Sequence, residues 1–105
     1  SPYCASKCAM LGMAKAVAWE VGADNIRVNV ICPGAVEGER IERVMHKRAR
    51  DHGLTYEEMI AKTTSDTPLR RFVTPEEIAA TALFLASDES AGITGEVVIV
   101  SGGRR

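Results

Sequence analysis

A tyrosine and a lysine four residues apart, Tyr3 and Lys7, carry the clearest chemistry in this chain. On a helix that spacing stacks a phenol and an ammonium on one face, one turn apart. A free tyrosine, with a pKa of about 10, is a poor base at neutral pH. A cation held beside it favours the phenolate, so the pair could exchange a proton at an alcohol or carbonyl oxygen.

The helix that must hold the pair is expected to run from about Pro2 to Val21, with proline tolerated at its start and Gly22 as a left-handed stop. It carries two stripes on opposite sides. Tyr3, Lys7, Met10, Ala14, Val17 and Val21 form one; Ala5, Ala9, Gly12, Ala16 and Trp19 form the other. A helix apolar on both sides is expected to be buried on both. One side would cover a sheet and the small-residue side would admit another helix, of a second subunit or of its own chain.

Further along, Ile26–Ile31 reads as a strand, and Val97–Val100 is a continuous β-branched run of the kind buried in a parallel sheet. Between them a helix from Glu39 to about Arg50 places Ile41, Val44 and Met45 on one face. Its Arg40, Arg43, Lys47, Arg48 and Arg50 invite a nucleic-acid reading, but interleaved Glu39 and Glu42 and the lack of aromatics favour a solvated face. Two helix starts are sharply specified. Thr55 and Glu58 form a capping box with Leu54 and Met59 as hydrophobic staple; Thr74 and Glu77 repeat it with Val73, Ile78 and Pro75 at the first helical position. The second of these helices, about Pro75 to Ser87, is expected to bury Ile78, Ala79, Ala82, Leu83, Leu85 and Ala86.

Four runs, taken in order, are Tyr3-Cys4-Ala5-Ser6-Lys7, Asn25-Ile26-Arg27-Val28-Asn29-Val30-Ile31-Cys32-Pro33-Gly34, Arg71-Phe72-Val73-Thr74-Pro75-Glu76-Glu77-Ile78-Ala79 and Ile93-Thr94-Gly95-Glu96-Val97-Val98-Ile99-Val100-Ser101-Gly102-Gly103. In order and spacing they resemble the C-terminal half of a short-chain dehydrogenase/reductase, over essentially all 105 residues. The resemblance implies an α/β fold, the C-terminal part of a Rossmann-like doubly wound parallel sheet, with two strands and about four helices in this chain. It implies an NAD(P)-dependent oxidoreductase passing hydride between NAD or NADP and a carbonyl or hydroxyl substrate. Tyr3 would be the catalytic acid/base, and Lys7 would lower its pKa and hold the nicotinamide ribose. Pro33, Gly34 and Val36 would belong to the loop packed against the nicotinamide, with the Val36 backbone at the carboxamide. The family often has threonine where this chain has Gly38.

As one domain, the chain would divide into 1–38 with the catalytic helix, strand and cofactor loop, 39–73 as a substrate lid, and 74–105 with the last helix and strand. In the lid, Met45, Met59 and Ile60 could equally touch substrate or pack a core. Assembly as a homodimer or homotetramer through the first helix is also implied. The family's glycine-rich phosphate loop, its catalytic serine ahead of the tyrosine and its helix asparagine have no counterpart here. Ser1 stands too close to Tyr3, and Gly102-Gly103 has no helix after it. The chain therefore reads as the distal half of an enzyme, expected to be inactive alone. Two alternatives are a truncated, non-catalytic association module and a tyrosine-lysine epimerase or dehydratase. The latter is disfavoured because no substrate domain follows the last strand.

Composition sets outer bounds. With 46% hydrophobic and 26% charged residues and a formal net charge of −1, the chain has the size of one small domain and no global bias toward nucleic acid or anionic membrane. No apolar run approaches the roughly 20 residues that span a bilayer, and a cytoplasmic setting is expected. Three cysteines argue against a disulfide framework. No metal site is expected: Cys4 and Cys8 share a face without a second ligand pair, Cys32 reads as a small core residue, and His46 and His52 read as solvated helix residues.

Overall fold

A computed structural model describes residues 2–103, with side chains from residue 5 onward. Its elements are α1 (Pro2–Val21), β1 (Val30–Pro33), α2 (Glu39–His52), α3 (Tyr56–Thr64), α4 (Pro75–Ala86) and β2 (Val97–Val100), with single 3-10 turns at Gly22–Asp24 and Asp88–Ser90. The two strands pair in one sheet. Val30 N–H donates to Glu96 O and Gly34 N–H to Val100 O, both at 2.9 Å, so pairing advances in the same sense along both chains and the strands are parallel. The expected α/β class, with two strands and four α-helices, holds for the described residues. The chain divides into two compact units, Ser1–Cys32 with Ala79–Ile99, and Pro33–Ile78 with Val100–Arg105.

In the first unit, α1 ends where the sequence suggested, but its stop differs. Gly22 opens the 3-10 turn and the left-handed residue is Asn25, at φ 61°, whose N–H returns to Gly22 O. Asparagine tolerates that conformation because its short polar side chain adds little steric cost. The first strand is also shorter at its start than expected, beginning at Val30 rather than Ile26. Over the preceding residues side chains bridge the segments: Val28 N–H donates to Thr94 Oγ1, and Asn29 gives its amide N–H to Ile93 O and accepts from Glu96 N–H. Gly95 N–H to Val28 O is the backbone link there. Arg27 holds the same loop from the other end, its guanidinium donating to Ser87 O, Ser90 Oγ and Ile93 O at 3.0–3.2 Å. Ser90 is buried beneath it.

Burial on α1 follows one stripe only. Ala14 and Ala18 are buried and Val17 and Val21 half-buried, whereas Ala5, Ala9, Gly12 and Ala16 are exposed and Trp19 is 88% exposed. The expectation of cover on both sides is thus corrected for the described residues, and so is packing of the second stripe on another helix of this chain. A similar correction applies to α4, where no side chain is buried and Leu83 is 73% exposed. Its apolar residues are too evenly distributed around the helix for one neighbour to cover them. Likewise β2, expected to be buried, is half-buried with Ile99 exposed, because a sheet of two strands has little to cover it.

The second unit has its own small core. Met45, Ala49 and Met59 are buried where α2 meets α3, ringed by Ile41, Val44, Leu54, Tyr56, Ile60 and Phe72. Met45 and Met59 are therefore packing residues. The Thr55–Glu58 capping box is complete, with the Leu54 staple against Met59's cluster. His46 is exposed on α2 and stacks on Tyr56 with ring centroids 4.0 Å apart. Thr74 and Glu77 form the second box, Glu77 N–H donating to Thr74 Oγ1 and Thr74 N–H to Glu77 Oε1.

Glu77 also takes a two-pronged ion pair from Arg71, at 2.7 and 2.8 Å. The Arg71 guanidinium, and then the Thr74 N–H, hold the carboxyl down at about 2 from an ordinary 4.5. A carboxyl depressed on folding contributes stability that is fully present above its unfolded pKa and is lost as pH falls through the folded one. Wild type and Glu77→Gln should therefore differ in stability by a constant amount above about pH 5, and the gap should close between about pH 4.5 and 2. Denaturation curves across that range check this; a gap independent of pH would remove the ion pair from the account.

Candidate active site

The sequence-predicted residues fall in both units. Tyr3 and Lys7 occupy successive turns of α1, since the helix is continuous from Pro2. The Tyr3 phenol lies outside the described side chains, as does the thiol of Cys4. Lys7 is half-buried. Cys8 is exposed and Cys32 buried, and no cluster of metal-ligating side chains occurs among the described residues.

Pro33, Gly34 and Val36 belong to the second unit. Pro33 closes β1 and the chain leaves over Ser101. A Cβ on Gly34 would lie 2.8 Å from Ser101 Cβ and 2.9 Å from its Cα, so only glycine fits this approach. Gly34→Ala should cost about 1–3 kcal/mol, because the obstruction is backbone and cannot swing aside. Chemical denaturation of wild type and variant reads the loss; an unchanged midpoint would refute the tight contact.

Beyond Gly34, Val36 makes an isolated parallel bridge with Val73. Its neighbours carry the bonds: Glu37 N–H donates to Val73 O at 2.8 Å and Val73 N–H to Ala35 O at 3.1 Å. The N–H and C=O of Val36 itself point the other way and take no backbone partner among the described residues. The loop thus presents a donor and an acceptor side by side from a pinned backbone. Gly38 follows as the residue preceding α2, at φ 150° and ψ −179°. A threonine there would be strained, which gives a conformational reason for the departure from the family pattern.

Of the grooves among the described residues, one in the first unit and one in the second lie near these elements. The first, about 380 Å³, is lined by Lys15, Ala18, Trp19, Ala23, Thr94 and Gly95. Trp19 is twelve residues from Lys7, about 18 Å along the helix, so this groove is not the acid/base site. The other, about 370 Å³, is lined by Glu37, Ile41, Glu42, Tyr56, Ile60 and Phe72. Sequence reasoning included Ile60 as a lid residue but gave no such role to Tyr56 or Phe72, which line the same groove.

Comparison with known proteins bears on the whole chain. A family model described as enoyl-(acyl carrier protein) reductase matches residues 1–105. A 3-oxoacyl-(acyl-carrier-protein) reductase of Thermotoga maritima is 44% identical over 101 residues, which cover 96% of this chain and 37% of the relative. Among solved structures, a short chain dehydrogenase family protein from Francisella tularensis superposes with a TM-score of 0.83 at 35% identity, covering 96% of this chain and 42% of that one. The L-sorbose reductase of Gluconobacter frateurii, solved with NADPH and L-sorbose, gives 0.79 at 31% identity, covering 91% and 37%. The chain spans about two-fifths of the length of the curated relatives it matches. Agreement in sequence and in backbone along nearly every residue has one meaning: the chain belongs to the short-chain dehydrogenase/reductase family.

Proposed function

We propose that this chain is the distal part of an NAD(P)-dependent reductase, with Tyr3 as proton donor to a substrate carbonyl oxygen. What supports this best is the Val36 backbone. Its uncommitted N–H and C=O match the acceptor and donor of a carboxamide, the group that distinguishes a nicotinamide ring. Bound NAD(P)H supplies the hydride to the carbonyl carbon. The Tyr3 phenol gives its proton to the carbonyl oxygen, and Lys7, one turn on, stabilises the phenolate left behind and holds the cofactor ribose. Pro33 and Gly34 set the loop's exit, residues 1–38 carry the chemistry, 39–73 cover substrate, and 74–105 complete the sheet.

The substrate class we assign is a 3-oxoacyl thioester, the chemistry named for the 44% identical relative. The full-length protein should consume NADH or NADPH in the presence of 3-oxobutyryl-N-acetylcysteamine, followed by nicotinamide absorbance. No consumption with that thioester would overturn the substrate class, and none with L-sorbose as well would overturn the reductase reading. A cytoplasmic setting agrees with this metabolism, and no helix among the described residues is long and apolar enough to cross a membrane.

Self-association through α1 belongs to the same reading. Its exposed Ala5, Ala9, Gly12 and Ala16 let a second helix approach closely, and nothing lies within 4 Å of a Cβ built on Gly12. Gly12→Leu should shift the full-length homodimer or homotetramer toward smaller species, with overpacking of about 1–3 kcal/mol at the contact. Sedimentation reads the shift, and a wild type that runs as a monomer rules the interface out.

A further inference from the structure

The groove of about 370 Å³ in the second unit combines an apolar lining with two carboxylates. Ile41, Ile60, Tyr56 and Phe72 are all half-buried: each packs against the Met45 core and still lines the groove. Glu37 and Glu42 line it as well, and both are exposed. Neither forms an ion pair among the described residues. Arg71 feels the charge of Glu37, but its guanidinium is committed to both oxygens of Glu77. Glu42 has no lysine or arginine three or four residues away on α2, where Gly38, Glu39, Met45 and His46 stand instead. The N-terminal dipole of α2 stabilises these carboxylates where they are. Lining an apolar groove, they also set what that groove admits. The groove adjoins the loop that meets the cofactor, since Glu37 directly follows Val36, whose N–H and C=O take no backbone partner among the described residues.

We propose that this groove receives the far end of the acyl chain, and that Glu37 and Glu42 make it selective, admitting a neutral end and rejecting one that carries a carboxylate. The aliphatic and aromatic walls favour methylene groups, which gain by leaving water. A terminal carboxylate in the same place meets like charge on two sides of the argument at once: it is repelled by Glu37 and Glu42, and it gives up hydration to walls that offer only the Tyr56 hydroxyl as a side-chain donor. Chains of equal length are thus told apart by repulsion of the wrong end, with no tighter contact needed for the right one. The acyl identity rests on the thioester reading above; the selectivity rests on the two carboxylates and the groove they line.

N-acetylcysteamine thioesters of matched chain length decide it: 3-oxohexanoyl, 3-oxoadipyl with a carboxylate at the far end, and the methyl ester of that end, which stays polar but loses the charge. With the full-length wild type, kcat/KM for 3-oxoadipyl should lie about tenfold or more below that for the two neutral thioesters, and the difference should shrink as salt rises. In Glu37→Gln/Glu42→Gln the ratio should move toward one, and Glu42→Gln alone should move it part of the way. Each ratio is taken within one protein, so a variant that folds less well lowers all the rates together and leaves the ratio unchanged. Equal consumption of 3-oxoadipyl and 3-oxohexanoyl by wild type, rejection of the methyl ester as strong as that of the acid, or a ratio that neither variant moves would overturn the selectivity while the thioester reading stands. If wild type consumes neither 3-oxohexanoyl nor 3-oxobutyryl thioester, the thioester reading falls and the proposal falls with it.

Discussion

Tyr3→Phe in the full-length enzyme should lower turnover by about 10²-fold or more while leaving cofactor affinity nearly unchanged. The substitution removes the one transferable proton and keeps the ring. Without a donor, the carbonyl oxygen must take its proton from water as negative charge develops on it, and the loss falls on kcat rather than on binding. Lys7→Met should behave differently. On the mechanism proposed above it removes a charge that serves both the phenol and the ribose, so affinity and turnover should fall together. Steady-state kinetics with calorimetry of cofactor binding separate the two patterns. A Tyr3→Phe enzyme keeping more than about half its rate would remove tyrosine from the chemistry.

Much of the local architecture was legible because short-range rules decide it. Both capping boxes, at Thr55–Glu58 and Thr74–Glu77, form as expected, since each needs only residues within one turn. The span of α1 and that of β2 were read correctly for the same reason. What failed depended on partners distant in sequence. The onset of β1 hinges on Asn29 reaching Ile93 and Glu96, and Val28 reaching Thr94, more than sixty residues away. Burial of the second stripe of α1 and of α4 presumed neighbours that the described residues do not provide. The site followed the same division. Tyr3 and Lys7 are visible as a spacing, and Pro33-Gly34 as a turn, but the reason Gly34 must be glycine is Ser101, and the free backbone of Val36 follows from a bridge to Val73. Nothing in the local sequence announces either contact.

The 105-residue chain tested by itself should bind neither NAD(H) nor NADP(H). A dinucleotide is held chiefly by its pyrophosphate, which needs a glycine-rich turn leading from a strand into a helix N-terminus. Among the described residues such a connection occurs between β1 and α2, and it does carry Gly34 and Gly38. Its electrostatics are wrong for the task. Glu37 stands in the turn, and Glu39 and Glu42 occupy the first turn of α2, so three carboxylates oppose a doubly charged pyrophosphate where the helix dipole would otherwise attract it. The Val36 backbone could meet a carboxamide, but two hydrogen bonds to a neutral group do not offset that repulsion in open solvent. Weak folding adds to the deficit. A parallel pair of strands is marginal without cover on both faces, and here Ile99, Leu83 and Trp19 remain exposed. The isolated chain should therefore associate or unfold before it acquires a cofactor site. Calorimetric titration of mass-verified chain with NADH and NADPH, alongside sedimentation, reads both properties. Saturable micromolar binding to a monomer would mean that these residues form a complete dinucleotide site, and the distal-half reading would have to be abandoned.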